Sequence, residues 1–122
     1  MARLRHLNAR VARSATWRPL RGLWHTSDVI FQQVLNEEAG CLSYLIGCSQ
    51  AGQGVIVDPA RDRADDYMAM ARKKGLTITD IVETHVHADH VSGNQALSAK
   101  TGARIHIHPA ANAAFAHDPV EH

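Results

Sequence analysis

Four residues with metal-binding side chains lie close together, directly after a short apolar run. The stretch IVETHVHADHVSG, residues 81–93, contains His85, His87, Asp89 and His90. Imidazole and carboxylate groups are ligands of borderline divalent metals such as zinc and iron. His85 and His87 are two residues apart, so an extended backbone would point both rings to the same side, while Asp89 and His90 would follow a turn. The pattern predicts a metal site built from these four residues, and the alternative is a polar surface loop.

The element before this cluster decides between the two interpretations. Residues 81–82 are the centre of a predicted strand, and a ligand that leaves the end of a buried strand starts from a rigid position. It also lies at the carboxyl edge of the sheet, where ligands of open α/β sheets usually bind. A lone histidine is more often a structural residue than a ligand, but four ligand-type residues in this context favour metal binding.

Five strands are predicted in the rest of the chain, counting the one at residues 81–82. Runs rich in β-forming residues predict the others at residues 29–35, 41–48, 55–59 and 103–108. His106 and His108 alternate on the last of these strands and could form a second ligand pair, although ordinary strand-face residues are the favoured interpretation.

Two helices are predicted between the strands. The first has an apolar stripe and ends at Gly75; the stripe consists of Ala64, Tyr67, Met68 and Ala71. Ser92 and Gln95 predict a capping box for a second helix, which continues to Lys100 and stops at Gly102. A short helical turn is predicted within residues 109–117, after which the chain ends without a further element. The order of elements predicts an α/β fold with a mixed sheet and flanking helices.

Composition excludes some classes of protein. The chain has 122 residues, enough for one small domain with its own core. A net charge of +1 gives no indication of binding to nucleic acid or to a membrane surface. No apolar stretch reaches the roughly 20 residues that span a bilayer. The two cysteines, Cys41 and Cys48, are too few for a disulfide framework and predict thiols in a reducing compartment.

The first 27 residues differ from the remainder in charge. They contain no acidic residue, but they contain six arginines: Arg3, Arg5, Arg10, Arg13, Arg18 and Arg21. An Arg-rich, acid-free amphipathic start is typical of a mitochondrial transit peptide, and the alternative is a disordered leader. We therefore divide the chain into a leader at residues 1–27 and a domain at residues 28–122. The expected location is intracellular: cytoplasmic in a bacterium, or the mitochondrial matrix if the leader is a transit peptide.

The residues of the cluster resemble a known family. THVHADH, residues 84–90, is similar to the H-x-H-x-D-H signature of the metallo-β-lactamase superfamily, and VIVDP, residues 55–59, resembles the strand ending in Asp-Pro that precedes the first helix of that fold. The resemblance implies a four-layer αββα sandwich of about twice this size. It follows that this chain would be the amino-terminal half of such a domain, with one sheet face exposed and no assembled metal site.

Within that superfamily, ETHVHADHVSG looks most like persulfide dioxygenases. This resemblance implies one Fe(II) per site, bound within this stretch by His85 alone, while His87, Asp89 and His90 orient ligands and tune the metal. Glutathione persulfide would be oxidised to sulfite and glutathione. The implied partners are a small thiol substrate, the carboxyl-terminal half of the domain and a rhodanese domain beyond it.

Two alternatives remain open. Glyoxalase II is the next nearest family, although it tends to carry Gly-Gly where this chain has Ser92 and Gly93. In that case His85 and His87 would bind one Zn(II), Asp89 and His90 would serve a second, and a bridging water would attack a thioester. Asp89 is the candidate catalytic residue. The other alternative is a non-catalytic metal-binding module.

Overall fold

The computed structural model describes residues 28–37, 40–86 and 92–121. The predicted leader and the ligands His87, Asp89 and His90 lie outside the described residues. The structure contains the following elements: β1 (Val29–Asn36), β2 (Cys41–Cys48), β3 (Gln53–Val57), α1 (Ala64–Lys73), β4 (Thr77–Val82), α2 (Asn94–Thr101), β5 (Arg104–Ile107) and β6 (Asp118–Pro119). Short 3-10 turns occupy Arg61–Arg63 and Pro109–Ala111.

All six strands form one mixed sheet in the order β1-β2-β3-β4-β5-β6. The first two pairings are antiparallel and the other three are parallel. Short connections join the antiparallel strands, and each contains a glycine with positive φ, Gly40 in the first and Gly52 in the second. Helices α1 and α2 make the crossovers from β3 to β4 and from β4 to β5, and the segment with the second 3-10 turn connects β5 to β6. The predicted α/β class with a mixed sheet and flanking helices is therefore confirmed.

One row of aliphatic side chains runs across the sheet beneath the helices. Leu45, Ile56 and Ile81 are paired in register on β2, β3 and β4, and each is 0% exposed. Leu97 of α2 is also fully buried, and Tyr67 of α1 nearly so. Burial of each such side chain stabilises the fold by about 1.5–3 kcal/mol. Because Ile56 and Ile81 are paired in register, β3 and β4 end side by side.

The opposite face of the sheet carries no helix among the described residues. Val29, Phe31 and Leu35 of β1 point to it and are 61%, 64% and 51% exposed. This is the open face that the resemblance to half of a sandwich implied. Within the described part of the chain, no helix is long and apolar enough to cross a membrane.

Two of the element boundaries that differ from the predicted ones are explained by local structure. Strand β3 begins at Gln53 instead of Val55, because the turn closes at Gly52 and Gln53 already pairs with Cys48. Helix α2 has Gly93 as its N-cap, one residue later than the predicted Ser92.

The prediction that the chain ends without a further element was wrong. A two-residue strand, β6, pairs in parallel with β5 and extends the sheet by one strand. Two residues carry too little periodicity to be recognised as a strand from sequence.

Candidate metal centre at the end of β4

The candidate site lies where β3 and β4 end side by side. Asp58 follows β3 and takes a left-handed backbone conformation with φ 49°, which is uncommon for a residue other than glycine. Its backbone N–H donates to the carbonyl of Val82 at 2.9 Å, so the two strand ends are joined beyond the last ladder pair. The chain then leaves β4 through Glu83, Thr84 and His85.

The Asp58 carboxylate holds the first turn after β4. Its Oδ1 accepts a hydrogen bond from the Thr84 backbone N–H at 2.8 Å, and its Oδ2 accepts one from Thr84 Oγ1 at 2.5 Å. The Asp58 side chain is 9% exposed, whereas that of His85 is 63% exposed. A nearly buried carboxylate thus fixes the residue immediately before the predicted ligand.

The same group of hydrogen bonds determines which ring nitrogen of His85 carries the proton. Thr84 Oγ1 lies 2.7 Å from His85 Nδ1. A carboxylate only accepts hydrogen bonds, so the single hydroxyl hydrogen of Thr84 goes to Asp58 and Oγ1 accepts from His85. We infer that the ring proton is on Nδ1 and that the lone pair is on Nε2, which is the form in which histidine binds metals through that nitrogen.

A second pair of side chains joins the residue after β4 to the residue before the N-cap of α2. Glu83 is only 6% exposed, and the Ser92 hydroxyl donates a hydrogen bond to its Oε1. Ser92 Oγ also accepts from the Asn94 backbone N–H at 3.1 Å, at the first turn of α2. The sequence predicts a capping box between Ser92 and Gln95, but the Ser92 hydroxyl donates to Glu83 instead. The burial of Glu83, two residues before His85, cannot be recognised from the sequence without the fold.

The structure places one of the four predicted ligands. His85 is at the end of β4 as expected, whereas His87, Asp89 and His90 stay predictions because they are outside the described residues. Within the described ranges, no group of three or more His, Cys, Asp or Glu side chains could hold a metal ion. The predicted donor types are those of zinc or iron sites, and the orientation of His85 is compatible with a ligand, so the four-residue metal site stays a prediction.

An open cavity lies beside His85. Its volume is about 330 Å³, and it is lined by Glu83, Asn94 and Phe115 among others. It lies between the end of β4, the start of α2 and the segment after β5.

The two histidines predicted on the last strand have separate surroundings, because His106 lies on β5 and His108 follows its end. His106 Nε2 is 2.8 Å from Asp80 Oδ1, on the open face of the sheet, and Arg104 Nη2 donates to the same oxygen at 2.7 Å. The hydrogen bond from His106, with help from Arg104, holds the pKa of the Asp80 carboxyl below its ordinary value. His108 Nδ1 instead accepts from the Ala110 backbone N–H at 3.1 Å and caps a 3-10 turn.

Comparison with known proteins identifies the family. The Metallo-beta-lactamase superfamily matches residues 37–122, which is more than half of the chain. The chain belongs to this superfamily, and its mixed sheet with flanking helices matches the α/β fold of the family.

The curated relatives include two kinds of enzyme. Hydroxyacylglutathione hydrolase from Polaromonas sp. is 41% identical over 66 residues, which cover 54% of this chain and 24% of that protein. Mitochondrial persulfide dioxygenase ETHE1 from Bos taurus is 29% identical over 68 residues, which cover 56% of this chain and 27% of that protein. The chain spans about a quarter of the length of these relatives.

A solved structure extends the likeness to the fold. The crystal structure of ETHE1 from Myxococcus xanthus superposes with a TM-score of 0.71 at 34% sequence identity. The superposition covers 76% of this chain and 41% of that chain.

Proposed function

We propose that the protein to which this chain belongs is an iron-dependent persulfide dioxygenase. The reaction converts glutathione persulfide, dioxygen and water to glutathione and sulfite, so the outer sulfur is oxidised and dioxygen is reduced. The observation that carries the proposal is the similarity to the solved ETHE1 structure, which extends over 76% of the chain. The run ETHVHADHVSG supports it, because Ser92 stands where glyoxalase II tends to have glycine, and here its hydroxyl contacts Glu83.

The residues of this chain would bind and orient the metal. His85 is the ligand, with Nε2 directed by the hydrogen bonds that run from Asp58 through Thr84 to Nδ1. His87 and His90 would orient other groups around the metal, and Asp89 remains the candidate catalytic residue. Bound Fe(II) supplies positions for the substrate sulfur and for dioxygen. The cavity beside His85 would admit the persulfide end of the substrate.

A dizinc thioester hydrolase is the second candidate. The observation in its favour is that the Polaromonas hydrolase is 41% identical to this chain, compared with 29% for the bovine dioxygenase. In that enzyme His85 and His87 would bind one zinc, and Asp89 and His90 would serve the other. A non-catalytic module is less well supported, because both kinds of curated relative are enzymes.

The remaining expectations extend this proposal. The open face of the sheet would be covered by the other half of an αββα sandwich, since Phe31 and its neighbours leave that face apolar. A rhodanese domain beyond it would supply persulfide. The protein would act in the mitochondrial matrix or in a bacterial cytoplasm, depending on whether residues 1–27 are a transit peptide.

The test uses the complete natural protein purified with its metal. Metal content is measured by elemental analysis, oxygen uptake is followed with glutathione persulfide, and thioester cleavage is followed with S-lactoylglutathione. Iron together with persulfide-dependent oxygen uptake is the expected result. Zinc together with thioester cleavage would overturn the dioxygenase proposal in favour of the hydrolase, and absence of both activities would favour the module.

A further inference from the structure

The cavity beside His85 has two unlike sides. One side is apolar, and Phe115, which packs against the hydrophobic core, forms part of it. The other side is polar and consists of Glu83, Ser92, Asn94 and Gln95. The volume of about 330 Å³ is at the lower end of the roughly 300–1,000 Å³ that small-molecule sites occupy, so the cavity suits one part of a larger ligand.

The polar side contains a buried amide that the helix start does not use. Asn94 is 4% exposed and is the first residue of α2. Asparagine commonly serves as an N-cap, but here the N-cap is Gly93 and no side chain caps the helix. Among the described residues, the side-chain amide of Asn94 has no hydrogen-bond partner. A buried amide is costly unless it is hydrogen-bonded, and because Asn94 lines the cavity, a ligand there can bond to it.

The backbone holds Asn94 in place. Its N–H donates to Ser92 Oγ at 3.1 Å, and the N–H of Gly93 donates to the carbonyl of Pro59 at 2.7 Å. A Cβ on Gly93 would collide with the Ala60 carbonyl, so the chain passes this point in close contact with the loop after β3. A polar group on such a fixed backbone is preorganised for binding, since little order has to be imposed when a ligand arrives.

The chemistry of this wall indicates which part of a substrate it can bind. A carboxamide has both N–H donors and a carbonyl acceptor, so it can pair with the C=O and the N–H of a peptide amide. The described residues that line the cavity include no lysine or arginine, and they include the acid Glu83. Such a wall disfavours the carboxylates at the two ends of glutathione. It suits the neutral middle of the molecule, where a peptide nitrogen lies close to the sulfur.

We propose that Asn94 is a specificity-determining residue whose carboxamide hydrogen-bonds to the peptide amide beside the reacting sulfur of the substrate. The inference rests on the proposed function, because it takes the substrate to be a glutathione derivative that reacts at His85. Asn94 and His85 line the same cavity, so one ligand can contact both. The apolar side with Phe115 packs against the methylene groups of the ligand.

The experiment measures kcat/KM for oxygen uptake by the complete natural protein with the persulfides of three thiols. Glutathione and N-acetylcysteamine carry an amide nitrogen at the same separation from sulfur, whereas 2-mercaptoethanol carries no amide. Asn94→Leu should lower kcat/KM by about 10-fold for the two amide-containing persulfides, the effect of losing one or two neutral hydrogen bonds. The value for 2-mercaptoethanol persulfide should not change.

Two further variants separate specificity from stability. Ser98→Ala is the control on the same helix, because the Ser98 hydroxyl donates to the Ala103 carbonyl at 2.7 Å at the other end of α2. It should lower the melting temperature and leave the ratio of kcat/KM between the N-acetylcysteamine and 2-mercaptoethanol persulfides unchanged, since loss of folded protein reduces both values equally. If Asn94→Leu does not fold, Asn94→Ala removes the amide without adding bulk, and the same ratio decides.

The outcomes distinguish the inference from the function on which it rests. An unchanged ratio in the Asn94 variant, with all persulfides still oxidised, would overturn the role of Asn94 and keep the dioxygenase. If the unaltered protein instead cleaves lactoyl thioesters, the dioxygenase proposal is overturned, and the lactoyl thioesters of the same thiols decide on Asn94 by the same ratio. Absence of both activities would overturn the proposed function and the role of Asn94 together.

Discussion

The two faces of the sheet differ although the same strands build both. On the face covered by α1 and α2, Leu45, Ile56 and Ile81 are fully buried. On the other face, Val29 and Phe31 of β1 are more than half exposed. Side chains alternate between faces along a strand, so the difference arises from what packs on each face and not from the strands themselves.

The covered face supports the candidate site. The buried row fixes the ends of β3 and β4, and from those ends Asp58 and His85 are placed. The open face instead carries a polar cluster in which His106 and Arg104 hydrogen-bond to Asp80. The comparison teaches that packing on the helix-covered face is sufficient to place His85 at the end of β4, whereas no described helix packs on the opposite face.

The largest expected effect compares the histidine at the strand end with the histidine on the open face. His85→Ala in the complete natural protein should remove bound metal and activity, with a loss of metal affinity beyond the roughly 100-fold seen for groups that only orient ligands. His106→Ala should leave metal content and turnover near normal, because its ring hydrogen-bonds to Asp80 and not to the site. Full metal content in His85→Ala would show that the loop is merely polar.

The second prediction compares apolar residues of the two faces. Leu45→Ala should lower the free energy of unfolding by about 2–5 kcal/mol, because it leaves a cavity in the helix-covered core. Phe31→Ala should change it by no more than about 0.5 kcal/mol if its side chain stays exposed. Urea denaturation measures both values. A loss of several kcal/mol in Phe31→Ala in the complete protein would show that another layer covers the open face there.

The third prediction concerns acid stability of the open face. The pKa of Asp80 is lowered in the folded state, so the carboxylate stabilises the fold above its unfolded pKa of about 4, and this contribution is lost as the pH falls through the folded value. Asp80→Asn should therefore be less stable near neutral pH and lose less stability on acidification. Asp65→Asn, in an exposed ion pair with Lys100, is the control for removal of one carboxylate. Identical acid profiles for Asp80→Asn and the unaltered protein would reject the role of this cluster.

The smallest expected effect concerns residues 1–27, and it tests whether this segment packs on either face of the sheet. Their deletion should leave the melting temperature unchanged, because the segment shows no packing pattern of its own. A decrease of about 4–8 °C, equivalent to about 1 kcal/mol for a small domain, would show that the leader packs on the fold. Paired thermal melts of the two chain lengths provide the measurement.

The sequence alone determined the two helices and five of the six described strands, in their observed order. Local periodicity and glycine positions predicted β1, β2, α1, α2 and β5 to within a few residues, because these signals come from neighbours along the chain. The H-x-H-x-D-H signature and its strand context indicated the superfamily for the same reason, because the spacing of its residues can be read from consecutive positions.

Only the tertiary structure decided which distant residues meet. Asp58 contacts Thr84 across 26 positions of the chain, and Glu83 contacts Ser92 across 9. Strand β6 likewise exists only because β5 offers an unpaired edge to pair with. Such contacts depend on how the sheet brings separate strand ends together, and no local sequence pattern contains that information. The residues that position the predicted ligand His85 were therefore found only in the folded chain.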